Sequence, residues 1–234
     1  LNEQDFVLEM RRKGQFGNED RSIWLFNILK ELNVAIGEDT VCAVMYSYID
    51  RHEPQQAMRV KDEYLESGGK HSQRLYRCMM RAHLEMGEYE RVAALFKKSS
   101  NLQRPQLADD ALLVRALLAD DRTLNKGIAQ FHSVMRRHSD AGRPHSPLGK
   151  NLVVALLAAL ERVSRDAALR ELDVLMRDYG ERLVADDETL SRAVNVCRKH
   201  ADVEREEQFW LLKKQLAMDA HQKMMMRAAS QRKH

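Results

Sequence analysis

Apolar side chains recur three and four positions apart through most of the chain, the spacing that lines one face of an α-helix. The stretch YRCMMRAHLEMGEYERVAALF, Tyr76 to Phe96, contains two such runs separated at Gly87. It predicts a helix, a tight turn and a second helix. A shift of 35 residues reproduces the pattern. Toward the N-terminus, Val41 takes the position of Tyr76, Val44 and Met45 those of Met79 and Met80, Ile49 that of Leu84, and Val60 that of Leu95. One more shift puts Phe6, Met10, Gly17 and Leu25-Phe26 in the slots of Tyr76, Met80, Gly87 and Leu95-Phe96. In the other direction Ala111 falls on Tyr76 and Phe131 on Phe96.

Four units of one period are therefore expected, at about 3–37, 38–72, 73–107 and 108–142. An insertion over 138–149, with Gly142, Pro144, Pro147 and Gly149, interrupts the series. The pattern resumes over 149–183, with Leu152, Ala168 and Leu172 in the slots of Tyr76, Val92 and Phe96. A looser sixth unit, 187–221, has Leu190 and Trp210 in the first and last slots. The helix breakers fit this frame. Pro54 falls at the first turn of a second helix, where its missing N–H costs nothing. Pro105, Pro144 and Pro147 fall between units, as do Gly37, Gly68, Gly69 and Gly180.

One helix pair cannot bury its own apolar stripe, whereas stacked pairs share a core. The expected fold is all-α: an α-solenoid of about six helix–turn–helix repeats over 1–205, followed by a terminal capping helix and basic tail over 206–234. With helices about 8–10 Å apart, six units span on the order of 60 Å.

Composition agrees with an all-helical chain. Of 234 residues only 4 are Pro and 10 Gly, too few for a loop-rich or all-β protein, and 44% are hydrophobic, enough for a core. The longest apolar run, Leu152 to Leu160, ends at Glu161, well short of the ~20 residues a membrane span needs. Cys42, Cys78 and Cys197 have no CxxC spacing, so neither a disulfide framework nor a zinc site is expected; Cys42 and Cys78 are read as small buried or half-buried hydrophobes. His132, His138 and His145 lie six and seven apart, not at the i, i+4 spacing of helical metal pairs. No Walker loop, GxSxG elbow or HExxH pair occurs. Asp109-Asp110 and Asp120-Asp121 flank one helix and are read as capping and solubilising groups. Neither an enzyme, a cofactor nor a small-molecule substrate is expected. The chain opens at Leu1, so the expectation is a processed form or a stretch of a longer chain, with no targeting peptide in view.

The 35-residue period and its slots resemble the pentatricopeptide repeat (PPR) family. The best unit runs from Gln73 to Leu107, with Tyr76, Met79-Met80, Gly87 and ERVAALF ending at Phe96. The tetratricopeptide repeat, of period 34, wants a small residue early in its first helix; that slot here holds Met10, Met45, Met80, Arg115, Leu156 and Val194. The resemblance implies RNA work in an organelle, with the mitochondrial matrix as the expected location. Members of that family bind single-stranded RNA at roughly one base per repeat. Two residues per repeat set the base, one just after the Tyr76-type slot and one at the end of the unit. The first slot holds Val7, Cys42, Arg77, Leu112, Val153 and Ser191, and the second holds Gly37, Ser72, Leu107 and Gly142 in the regular units. Apolar groups there cannot read a base edge, so the base-reading code is largely absent.

Charge is uneven although the net value is only +3. The third unit carries 7 basic against 3 acidic residues, and 213–234 carries 6 basic residues against Asp219 alone. Arg74, Arg77 and Arg81, spaced i, i+3, i+7, share one helix face and are candidates for phosphate contact, the competing reading being ion pairs with acids of neighbouring units. Lys213, Lys214, Lys223 and Arg227 form a second candidate RNA-binding set. Three functions follow as expectations. The first is a non-catalytic structural subunit of a large mitochondrial ribonucleoprotein, a mitochondrial ribosome or its assembly intermediate, which contacts proteins and RNA backbone, mainly of ribosomal RNA. The others are a free-standing organellar factor for RNA processing, stability or editing, and a protein-only helical scaffold.

Overall fold

The structure is a computed structural model that describes residues 19–32, 34–139, 147–183 and 186–231. The protein is all-α. Among the described residues there are eleven helices and no strand. They are α1 (Glu19–Glu31), α2 (Glu38–Asp50), α3 (Pro54–Glu66), α4 (Gln73–Glu85), α5 (Tyr89–Leu102), α6 (Leu107–Ala119), α7 (Leu124–Ser139), α8 (Pro147–Leu160), α9 (Arg165–Leu183), α10 (Asp187–Lys199) and α11 (Val203–Gln231). They gather into two compact units, residues 1–116 and 117–234. The membrane expectation holds in one respect: no described helix is long and apolar enough to cross a bilayer.

In the first unit α2 packs on α3 and α4 on α5, each pair an antiparallel hairpin, while α2 also packs on α4. Local chemistry sets the turns. Pro54 opens α3, and Gly87 ends the α4–α5 turn at a φ of +73° that other residues adopt at a cost. The core is a row of buried side chains from successive helices, including Met45 of α2, Leu75 and Met80 of α4, Val92 of α5 and Leu112 of α6. Positions 35 apart share a burial state: Val41, Tyr76 and Ala111 are all buried, as are Met45 and Met80. Arg115, the next member of the Met80 column, is half-buried, and desolvation pulls its guanidinium below the ordinary value while Glu85 opposes that.

In the second unit α7 packs on α8, α8 on both α9 and α10, and α10 on α11. Leu152, Leu156, Leu157 and Leu160 make α8 its most apolar element, buried against Leu172, Leu190, Val194 and their neighbours. Three details differ from the sequence expectation. Pro147 is the first residue of α8 rather than part of the insertion, and Pro is tolerated at that helical position. Gly180 lies inside α9, beside a non-helical residue at Tyr179 (φ −139°, ψ 19°). The terminal helix begins at Val203, before Glu206, and is the same helix as the second of the sixth unit.

The sequence reading used the Val92 slot only to place Ala168 and did not follow that column toward the N-terminus or to Gly127. Ser22, Ala57, Val92 and Gly127 lie 35 apart in α1, α3, α5 and α7, and all are buried. At Gly127 an added Cβ would stand 2.8 Å from the Leu118 amide nitrogen and 2.9 Å from the Leu117 carbonyl carbon. The signal was present in the sequence: small or short side chains at a fixed interval, in the second helix of each pair rather than the first.

Candidate functional site

The three arginines expected to meet phosphate lie on α4, and each is engaged by a carboxylate of an adjacent helix. Arg74 forms an ion pair with Asp39 of α2. Arg81 pairs with Asp50 of α2 and lies over the Tyr46 ring, 5.2 Å from its centroid. Arg77 makes the most enclosed pair. Its Nε donates to Asp109 Oδ1 at 2.7 Å, and its Nη2 donates to Asp109 Oδ2 at 3.1 Å and to Gln106 Oε1 at 2.8 Å. These bonds hold the Arg77 guanidinium above its ordinary value. The competing sequence reading, pairs with acids of neighbouring units, describes this geometry. Asp39, Arg74 and Asp109 form a further column 35 apart, with charge alternating along it.

Asp109 departs from the solubilising role expected of it. It is buried, with its side chain 1% exposed, and it accepts four hydrogen bonds. Two come from Arg77, one from Gln73 Nε2 at 3.1 Å and one from the Gln106 backbone N–H at 2.9 Å. The last is the reach-back bond of a capping box, so the capping part of the expectation stands. The reason for burial is the Arg77 fork, which supplies the charge and geometry that a desolvated carboxylate requires.

The base-reading slots of the resembled family are occupied by packing. Cys42, Leu112 and Val153 are buried, and the Arg77 fork is committed to Asp109. The Ser191 hydroxyl donates to the Asp187 carbonyl and accepts from Lys213. In the second set, Gly37 is the N-cap of α2. Ser72 caps α4 by accepting the Leu75 N–H at 3.0 Å, and its hydroxyl donates to Glu38 Oε1 at 2.6 Å. Val7 and Gly142 lie outside the described residues.

On α11, Lys213 is half-buried against Asp187 and Ser191, at 3.2 and 2.8 Å, and lies over the Trp210 ring. Lys214 is exposed, and among the described residues it meets no carboxylate. The side chains of Lys223 and Arg227 lie outside the described residues. The sequence reading passed over another cationic strip. Lys97 and Lys98 on α5 and Arg104 just beyond it are exposed, and their side chains form no ion pair among the described residues. The charge excess of unit three was legible, but which of its seven cations remain open depends on the reach of neighbouring carboxylates.

The three cysteines are free and buried. The hydrogen bond shared with Cys78, followed by burial, pushes the Cys42 thiol up, and burial pushes that of Cys197 up to about 12. Among the described residues no three His, Cys, Asp or Glu side chains converge as a metal site. His132 faces Glu171, Nε2 to Oε2 at 2.8 Å, in an open cleft of about 390 Å³ that also takes in Tyr179 and Asp178; His138 and His145 fall outside the described side chains. A second cleft, of about 440 Å³, lies among Phe26, Ile36, Val60 and Tyr64, with the Lys30–Glu63 ion pair at its edge. Compared with known proteins, the chain matches no family model and no curated sequence.

Proposed function

We propose that the chain is a PPR-like α-solenoid acting as a non-catalytic structural subunit of a large mitochondrial ribonucleoprotein, a mitochondrial ribosome or its assembly intermediate. It holds proteins and RNA backbone rather than a chosen base sequence. The observation that carries this reading is the use made of the base-reading slots. Where a reader would present amides and hydroxyls, Cys42, Leu112 and Val153 are buried and Arg77 and Ser72 join neighbouring helices. Backbone contact needs only cations. Lys97, Lys98, Arg104 and Lys214 are among the described ones that remain open for it, with Lys223 and Arg227 following in the sequence. Side-chain bonds at separations of 31 to 36 residues, such as Arg81–Asp50 and Gln73–Asp109, fit a repeat that stacks on its neighbour.

A second reading, the protein-only scaffold, draws on one observation. The three arginines of α4 are compensated by Asp39, Asp109 and Asp50, so that face offers RNA little net positive charge.

The test is a salt-controlled pull-down of the full chain from mitochondria, with proteins and crosslinked RNA identified together. The proposal expects a ribosomal or comparable particle, crosslinked through the open cations. A single messenger or guide-type RNA without a particle would replace it with the processing factor, and proteins without RNA would replace it with the scaffold.

A further inference from the structure

We infer that one end of the first unit, where the chain enters α4 and leaves α5, is a site for single-stranded RNA. Lys70, Lys97, Lys98 and Arg104 meet phosphates there, and the His71 ring is a platform on which a base stacks. The inference rests on the proposed contact with RNA backbone and places it away from the arginine face of α4. The α4–α5 hairpin is antiparallel, so the start of α4 and the close of α5 lie at the same end. Lys70 and His71 precede α4, Lys97 and Lys98 fall in the closing turns of α5, and Arg104 follows α5. Gln73 Nε2 donates to the Arg104 carbonyl at 3.1 Å, which holds the linker after α5 against the first turn of α4. All four cations are exposed, and among the described residues none of them forms an ion pair.

The opposite end of the same hairpins differs. There Arg51 pairs with Glu53, Arg81 with Asp50 and Arg91 with Glu88. At the open end the acids that begin α2 and α6 are engaged: Asp39 by Arg74, Asp109 by Arg77, and Glu38 by the Ser72 hydroxyl. The exposed Glu66, which closes α3, offsets only part of the four open charges. Cations left uncompensated at one end suit a polyanion. The ring beside them favours RNA over an acidic protein. His71 is exposed and lies stacked on Tyr76, with ring centroids 5.0 Å apart and planes 10° from parallel. Tyr76 is buried and backs one face of the imidazole, which leaves the opposite face for a base. Every base has a π-face, so a platform of this kind needs none of the base-reading slots.

Fluorescence anisotropy of the full chain with a short labelled single-stranded RNA of mixed sequence, titrated at increasing salt, reads the site. Lys70→Gln, Lys97→Gln, Lys98→Gln and Arg104→Gln combined should weaken binding at low salt about tenfold or more. They should also lower the slope of log affinity on log salt by about 0.7 for each phosphate contact removed. Arg91→Gln, at the opposite end, should leave both unchanged. His71→Ala should weaken binding about tenfold with the salt slope kept, and His71→Phe should restore it, because stacking and not charge is lost. The substituted side chains are all exposed, so helical content by circular dichroism should be unchanged. RNA bound equally well by the parent and the combined variant would overturn this site and leave the proposed function standing. A parent chain that binds no RNA at low salt would overturn both. Polyglutamate competing as well as RNA, or His71→Phe binding no tighter than His71→Ala, would overturn the assignment to RNA.

Discussion

Arg77 on α4 grips the buried carboxylate of Asp109 on α6 with two parallel hydrogen bonds, at 2.7 and 3.1 Å, 32 residues apart in sequence. Arg77 stands in a slot that reads a base in the family this chain resembles. Here the same position joins one helix to another, and a guanidinium clamped on both forks has little left with which to address a phosphate or a base edge.

This pair is expected to matter to the fold out of proportion to its neighbours. Arg77→Gln leaves a carboxylate that is 1% exposed without its cation and should cost about 3 kcal/mol, the scale for breaking a buried pair from one side. Arg74→Gln removes a pair whose members are 35% and 58% exposed and should cost less than about 1 kcal/mol. Urea unfolding with amide exchange on α4 and α6 distinguishes them. Equal losses would show that the enclosed pair has no special weight.

Two glycines should respond differently to a methyl group. At Gly87 there is open space, and the cost of alanine is that of the positive φ, about 1 kcal/mol; Gly87→Asn should recover part of it, since Asn accepts that backbone region. At Gly127 the obstacle is the backbone of Leu117 and Leu118, which cannot rotate away, so Gly127→Ala should cost about 2–3 kcal/mol and raise exchange in α7. Thermal melts of the three variants give the order.

The α10 N-terminus should be acid-sensitive. Burial pushes the Asp186 carboxyl up, but the Thr189 hydroxyl and amide and the Lys150 ammonium hold it below its ordinary value on balance. A depressed carboxylate contributes stability above its unfolded value of about 3.9 and loses it as pH falls through the lower folded value. Asp186→Asn retains an oxygen for the cap but stands in for the protonated acid, so it should be less stable than the parent at neutrality, show a flatter fall below about pH 4 and approach the parent at the lowest pH. A pH series of unfolding midpoints for the two proteins checks this.

The thiols should be silent in the folded chain. Cys197 is fully buried, with its acidity shifted to about 12, so almost no thiolate exists near pH 8. Iodoacetamide should label none of the three described cysteines in the native protein and all three after denaturation, as counted by intact mass. Native labelling at Cys197 would contradict its burial.

What the sequence made legible follows from periodicity. The all-α class came from 3.6-residue spacing, and the turns at Pro54 and Gly87 from residues with narrow backbone preferences. What it left hidden depends on reach across space. Arg74, Arg77 and Arg81 share a face in any helix, but their partners Asp39, Asp109 and Asp50 become visible only when neighbouring helices are set beside one another. Asp109 next to Asp110 looked like a solvated helix start, because burial of an acid is decided by a cation 32 residues away. Gly127 drew no notice in the sequence, because its need for a missing Cβ comes from the Leu117–Leu118 backbone set against it.

The central proposal is of a PPR-like chain in which packing takes up the positions that would read bases. Its most direct test measures binding of the purified chain to a panel of short single-stranded RNAs of different sequence, each at low and high salt. The account predicts similar, weak affinities across the panel that fall steeply with salt, as phosphate contact requires. One sequence bound about a hundredfold more tightly than the rest, with its advantage retained at high salt, would contradict it.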